Sequence, residues 1–193
     1  MIIAITNLKG GVGKTTTAVA LACAAQAAGE SVRLVDADAQ GSATEWAYAA
    51  DENGEALPFD VEAGNQASIS RLKDKEGEWV FIDCPPTGKV ADEAVKKADF
   101  VVVPMTPSEV DMRQTWATVQ TLSAAEKPYA VLIVRADKRT LTFRAVIDAL
   151  KEESASYFDT AIPQREDVKN SFGYAFADLY GYDEVFREIK EAL

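Results

Sequence analysis

Residues 9–16 read Lys-Gly-Gly-Val-Gly-Lys-Thr-Thr, directly behind the apolar run Ile2-Ile3-Ala4-Ile5. Gly10, Gly11 and Gly13 let backbone N–H groups converge on phosphate oxygens with no Cβ in the way. A helix opening at Lys14 adds the positive end of its dipole. Lys14 is then set to reach the outer phosphates of a nucleotide, and the Thr15 hydroxyl to ligate Mg²⁺. Val12 and Thr16 complete the loop. Its general form has glycine five residues before Gly13; here that position is Leu8, and a second lysine, Lys9, precedes Lys14 by five.

Two further segments end apolar runs in carboxylates. Val35-Asp36-Ala37-Asp38-Ala39-Gln40-Gly41 places Asp36 and Asp38 two residues apart. A Mg–nucleotide site needs such groups to hold metal-bound water and to orient an attacking water; an Asp-rich turn is the plainer alternative. Val80-Phe81-Ile82-Asp83 has the form of a Walker B strand, and Cys84-Pro85-Pro86-Thr87-Gly88 follows it. Two prolines fix that backbone while Gly88 permits a hinge, so it reads equally as a γ-phosphate switch and as a rigid turn.

The elements that must position these groups alternate along the chain. Strands are expected at Ile2–Thr6, Ser31–Asp36, Phe59–Glu62, Glu78–Asp83, Phe100–Val103 (stopped by Pro104), Tyr129–Val134 and Phe158–Ile162. Helices are expected at Lys14–Ala28, Ser42–Ala49, Gln66–Leu72, Lys89–Lys97, Glu109–Ala125 and Leu141–Glu152, with a helical tail; Asp51–Leu57 reads as a surface loop. The pattern predicts an α/β fold, a mostly parallel twisted sheet with helices on both faces. Ligands in such sheets sit at the carboxyl ends of the strands, where the glycine-rich loop, Asp36 and Asp83 all fall.

At 193 residues the chain suits one domain, spanning 1–193, with a substantial core. No apolar run is long enough to span a bilayer, and no basic leader precedes the first strand, so a cytoplasmic protein is expected. Cys23 and Cys84 lie far apart in unlike contexts, and the chain has no histidine, which argues against zinc and iron–sulfur sites.

Taken together, Lys9 to Thr16 resembles the deviant Walker A motif of the ParA/MinD family of P-loop ATPases. Val35–Gly41 resembles that family's switch I, Ile82–Pro86 its Walker B and switch II, and Val102–Pro107 the end of its next strand. The short length and Thr160–Arg165 look most like the small ParA-type plasmid partition ATPases. The resemblance implies an ATP- and Mg²⁺-dependent ATPase that forms a face-to-face homodimer when ATP-bound. In it Lys9 reaches the other subunit's phosphates, Lys14 and Thr15 serve phosphate and metal in cis, and Asp38 positions the hydrolytic water and lies at the metal. Asp83, with Asp36, holds Mg²⁺ through water. The family's dimer binds DNA without sequence preference, and a cargo- or centromere-bound partner, ParB-like or ParG-like, stimulates hydrolysis. Ala39 stands where the family usually has proline. Val134-Arg135-Ala136-Asp137 lacks the family's frequent Asn or Thr, which leaves backbone around Pro163 to meet adenine.

A net charge of −11 opposes nucleic-acid binding, but charge distribution matters more than its sum. Arg139, Arg144, Arg165 and Lys169, in the basic run from Arg135 onward, form the candidate DNA-contacting set, with a nucleoid-associated ATP-bound state as the consequence. Other readings on the same chemistry are positioning of a carboxysome or chemoreceptor array, a membrane-associated MinD-type regulator, and a metabolic synthetase or kinase. The MinD-type reading needs a basic C-terminal amphipathic helix. Here Val185, Phe186, Ile189 and Leu193 form the apolar stripe, but its flanks are acidic, so core packing is expected and no membrane contact.

Overall fold

The computed structural model describes all 193 residues. Its strands are β1 (Ile2–Ile5), β2 (Ser31–Asp36), β3 (Asp60–Ala63), β4 (Glu78–Asp83), β5 (Phe100–Met105) and β6 (Tyr129–Ile133). Its helices are α1 (Lys14–Ala27), α2 (Ser42–Glu52), α3 (Gln66–Ser70), α4 (Lys89–Lys97), α5 (Glu109–Ala124), α6 (Leu141–Glu152), α7 (Glu166–Lys169) and α8 (Tyr182–Ala192). The six strands form one sheet in the order β3-β2-β4-β1-β5-β6, and every pairing is parallel.

A parallel sheet is covered on both faces, so its central strands are apolar at every position. β1 shows this directly: Ile3 and Ile5 join the core on one face, Ile2 and Ala4 the core on the other. The first core lies under α1, α2 and α8, the second under α3, α4, α5 and α6. α1 is buried on every side from Ala18 to Ala25, and its small side chains let it nest between the sheet and α8. α8 supplies Val185, Phe186 and Ile189 to that core, so these three residues of the C-terminal apolar stripe are packing surface, whereas Leu193 is exposed.

Three expectations need correction. β5 does not stop at Val103 but runs through Pro104 to Met105. Val102 O accepts from Thr6 N and Pro104 O from the Asn7 side chain, so Pro104 turns its missing N–H toward β1, whose ladder has already ended. Phe158–Ile162 is not a strand. It runs beside β6 and its extension through isolated bridges, Val131 with Tyr157 and Ala136 with Pro163, and a backbone bond from Ile162 N to Ile133 O, without forming a continuous ladder. Finally, α2 continues to Glu52, taking the first residues expected to be loop.

Candidate functional site

Register brings the acidic strand ends together. Asp83 pairs with Ile5 across β1 and with Asp36 across β2, so both carboxylates flank the point where β1 releases the glycine-rich loop. Gly13 caps α1 in the left-handed region (φ 88°), a conformation that costs glycine nothing and almost any other residue something. Lys14 lies behind it, buried, with Nζ donating to the Lys9 carbonyl at 3.0 Å. Burial lowers the Lys14 pKa below its ordinary value, while Asp83 and Asp38 pull it back up. A phosphate anion would supply the negative charge that this ammonium lacks.

Asp83 is 1% exposed, and neither of its oxygens makes a hydrogen bond. Burial, with Asp36 adding to it, pushes its carboxyl up to about 7, against the pull of the Thr15 hydroxyl and the Lys14 ammonium. A buried carboxylate without partners is costly, and a cation beside Thr15 would relieve it. No three His, Cys, Asp or Glu side chains converge as a metal cage. One hydroxyl and one carboxylate are the donor set that suits Mg²⁺, which keeps several waters and takes substrate phosphates as ligands. The residues therefore fit the metal.

The two carboxylates of the second strand differ. Asp36 is buried and spent: Oδ2 accepts from Thr44 N and Oγ1, both at 2.8 Å, and Oδ1 from Asp38 N at 3.3 Å. It ties the first turn of α2 to the end of β2. The Asp38 carboxylate accepts only from Gln40 N, at 3.0 Å, and lines the cleft with Gly10, Gly11, Gly13, Lys14, Thr15 and Thr16. Val12 is buried beneath the loop.

That cleft, about 680 Å³, runs into a second cavity of about 350 Å³. The second has apolar walls from Val134, Ile162 and Pro163, with Gln164 and Glu166 as polar groups, and suits a flat ring beside the loop. Pro163 and Thr16 line this cavity together. Arg165 and Lys169 also line this cavity, whereas Arg139 and Arg144 line neither. Arg139 is paired with Asp137 at 2.9 Å and is 90% exposed; the guanidinium holds the Asp137 carboxyl down at about 2. The four candidate DNA contacts therefore divide into two pairs.

Three positions escaped the sequence reading. Asn7 is fully buried: Nδ2 donates to Pro104 O and to Thr115 Oγ1, at 2.9 and 3.0 Å, while Oδ1 accepts from Lys9 N at 3.0 Å. It fastens the Lys9 end of the loop to β5 and α5; a polar residue closing an apolar strand was its only signal. Tyr182 shares a 3.2 Å hydrogen bond with Thr17 beneath the second cavity. Trp46 on α2 donates to Tyr174 O at 2.9 Å and lies tilted against Phe172, pinning the segment after α7; both rings line the cleft.

Residues 3–174 match the family described as the CobQ/CobB/MinD/ParA nucleotide binding domain. Among curated relatives, the maintenance of carboxysome distribution protein A of Gloeobacter kilaueensis is 41% identical over 148 residues, 72% of this chain and 65% of that protein. The sporulation initiation inhibitor protein Soj of Bacillus subtilis is 29% identical over 212 residues, 84% of each. Among solved structures, a chain of the Aquifex aeolicus MinC:MinD cell division protein complex superposes with a TM-score of 0.80 at 19% identity, covering 98% of this chain and 95% of that one. A Cyanothece McdA–ATP complex gives 0.74 at 21% identity, covering 100% and 96%. These structures share the P-loop NTPase fold. The chain belongs to the CobQ/CobB/MinD/ParA nucleotide binding domain family.

Proposed function

We propose that this chain is an ATP-hydrolysing positioning protein of the ParA/MinD type, switching between a free state and an ATP-bound homodimer. The observation that carries this reading is the pair of lysines on one loop. Lys14 turns inward to the Lys9 carbonyl, while Lys9 is half-buried and has no carboxylate at ion-pair distance. A long-stemmed cation left unpaired at the rim can neutralise charge on a phosphate presented by a second copy, as an arginine finger does.

In this reading Gly10 to Thr16 wrap the phosphates through backbone N–H groups, and Lys14 exchanges the Lys9 carbonyl for a phosphate oxygen. Bound Mg²⁺, held by Thr15 and through water by Asp83, would withdraw charge from the β- and γ-phosphates. Asp38, facing the cleft with one oxygen committed, orients the attacking water. Asp36 keeps the Asp38 loop in place through Thr44 and is a positioning group here. The base enters beside Pro163.

The dimer would present its basic residues to the phosphates of duplex DNA, placing the ATP-bound form on the nucleoid, and a cargo-bound ParB-like or ParG-like partner would trigger hydrolysis. Plasmid or chromosome DNA is the first cargo considered. A protein assembly is the second, favoured by the 41% identity to a relative named for carboxysome distribution. Both share the nucleotide chemistry, and the partner co-purifying with the ATP-bound form distinguishes them. The test is phosphate release from ATP without any small-molecule acceptor, raised by DNA and partner. Turnover that requires a small acceptor would overturn the reading in favour of a synthetase. Absence of any DNA shift by the ATP-bound form at low salt would remove the DNA step.

A further inference from the structure

The cleft over the loop and the cavity beside Pro163 meet at a junction, and five residues line both: Gly13, Thr16, Arg135, Val168 and Lys169. Two of the five are cations, Arg135 and Lys169, supplied by different parts of the chain. Arg135 follows β6, sits in the left-handed region (φ 53°) and makes no hydrogen bond or ion pair through its guanidinium. A left-handed backbone at a bulky residue is held only by its surroundings; here Ala136 N bonds to Ile162 O and Gln164 N to Ala136 O on either side. Lys169 ends α7, and its nearest acid, Glu166, stands 4.0 Å away with both side chains 76% exposed, a pairing worth little.

The segment beyond Lys169 is anchored. Trp46 donates to Tyr174 O, Asn53 Nδ2 donates to Gly173 O at 2.9 Å, and Phe172 and Phe176 lie 5.5 and 5.9 Å from the Trp46 ring. Lys169 is therefore carried on a strap tied to α2, the helix that follows the Asp38 loop. Between a flat apolar-walled cavity and a polyphosphate cleft, a nucleotide has its sugar and its first phosphate.

We propose that Lys169, which shares this junction with Arg135, binds the sugar-proximal phosphate of the nucleotide, and so belongs to the nucleotide site and not to a DNA-contacting surface. The proposal rests on the nucleotide reading above. It differs from the assignments of Lys14 and Lys9 in that the contact is common to nucleoside di- and triphosphates.

The test is calorimetric titration of the full chain with ADP and with ATP, each with Mg²⁺, for wild type, Lys169→Ala, Lys169→Arg and, as an exposed control, Lys151→Ala. Lys169→Ala is expected to weaken ADP and ATP by the same factor, roughly tenfold, with Lys169→Arg recovering most of it and Lys151→Ala unchanged. DNA binding by Lys169→Ala at saturating ATP should match wild type. Unchanged nucleotide affinity with a lost DNA shift would overturn the proposal and make Lys169 a DNA contact. A loss seen with ATP alone would also overturn it, because the contact would then lie at the outer phosphate. Wild-type protein that binds neither nucleotide would overturn this proposal together with the reading beneath it, whereas a normal wild type with an unaltered Lys169→Ala overturns this proposal only.

Discussion

The two ends of the nucleotide cleft are built on different principles. At the phosphate end, β1, β2 and β4 finish in register, and Lys14, Asp36 and Asp83 are all buried. At the base end the wall comes from Gly13, Val134, Pro163 and Tyr182, far apart in the chain, with Pro163 tied to the β6 extension by an isolated bridge instead of a ladder. The first end is rigid and charged, with an unpartnered Asp83 and an underpartnered Lys14 held ready for ligand. The second is assembled from loops and a four-residue helix, α7, and owes its position to a few anchors on α2. Groups that must meet charge are fixed in advance, whereas the surface that meets a flat ring is supported more lightly.

The sharpest way to break that contrast is Lys14→Ala. It should weaken ATP by at least about a hundredfold, the equivalent of about 3 kcal/mol, by equilibrium binding. An effect no larger than the roughly tenfold expected for Lys169→Ala would show that the loop lysine does not dominate nucleotide binding.

Asp83 gives the next largest effect. Its folded carboxyl titrates at about 7, well above the usual carboxylate range, so the unfolded chain releases this proton first as pH rises. The folded state then binds more protons between about pH 4 and pH 7, and stability falls across that window. Asp83→Asn should therefore stabilise the metal-free protein at pH 8 by up to about 4 kcal/mol, with the gain vanishing toward pH 4, while weakening Mg²⁺-dependent ATP binding. Denaturant titration in EDTA at several pH values checks it; a pH-independent difference would mean that Asp83 is not held ionised at a cost.

Gly173→Ala probes the other end. A Cβ there would lie 2.9 Å from the Ala49 Cβ and 3.1 Å from Asn53 Nδ2, at φ 78°. The expected loss is about 1–3 kcal/mol of stability, with base-dependent binding weakened more than inorganic polyphosphate binding. Equal weakening of both would mean that the strap serves the whole cleft.

The same contrast explains what the sequence revealed. The loop, Asp36, Asp38 and Asp83 were legible because each closes or opens an apolar run within a few residues. Parallel strands bury both faces and so print as continuous runs. The base end was not legible, since the proximity of Val134, Pro163 and Tyr182 depends on how the segment after α6 returns to the sheet. Reading Phe158–Ile162 as a strand was the natural error: it runs alongside β6 and bonds to it without staying in register. Pro104 misled in the opposite sense, because a proline is tolerated where its neighbour strand has ended. The basic residues were grouped by closeness in sequence, yet Arg165 and Lys169 turn to the cleft while Arg139 folds back on Asp137. Asn7 could not be assigned until β5 and α5 were seen beside it.

The central claim is that Lys14 binds the nucleotide of its own subunit while Lys9 makes the assembled dimer. Sedimentation of the Lys9→Ala variant with ATP and Mg²⁺, alongside its rate of phosphate release, tests this most directly. The account predicts a monomer that retains nucleotide but has lost ATP-dependent dimerisation and turnover. An intact ATP-bound dimer hydrolysing at the wild-type rate would contradict it.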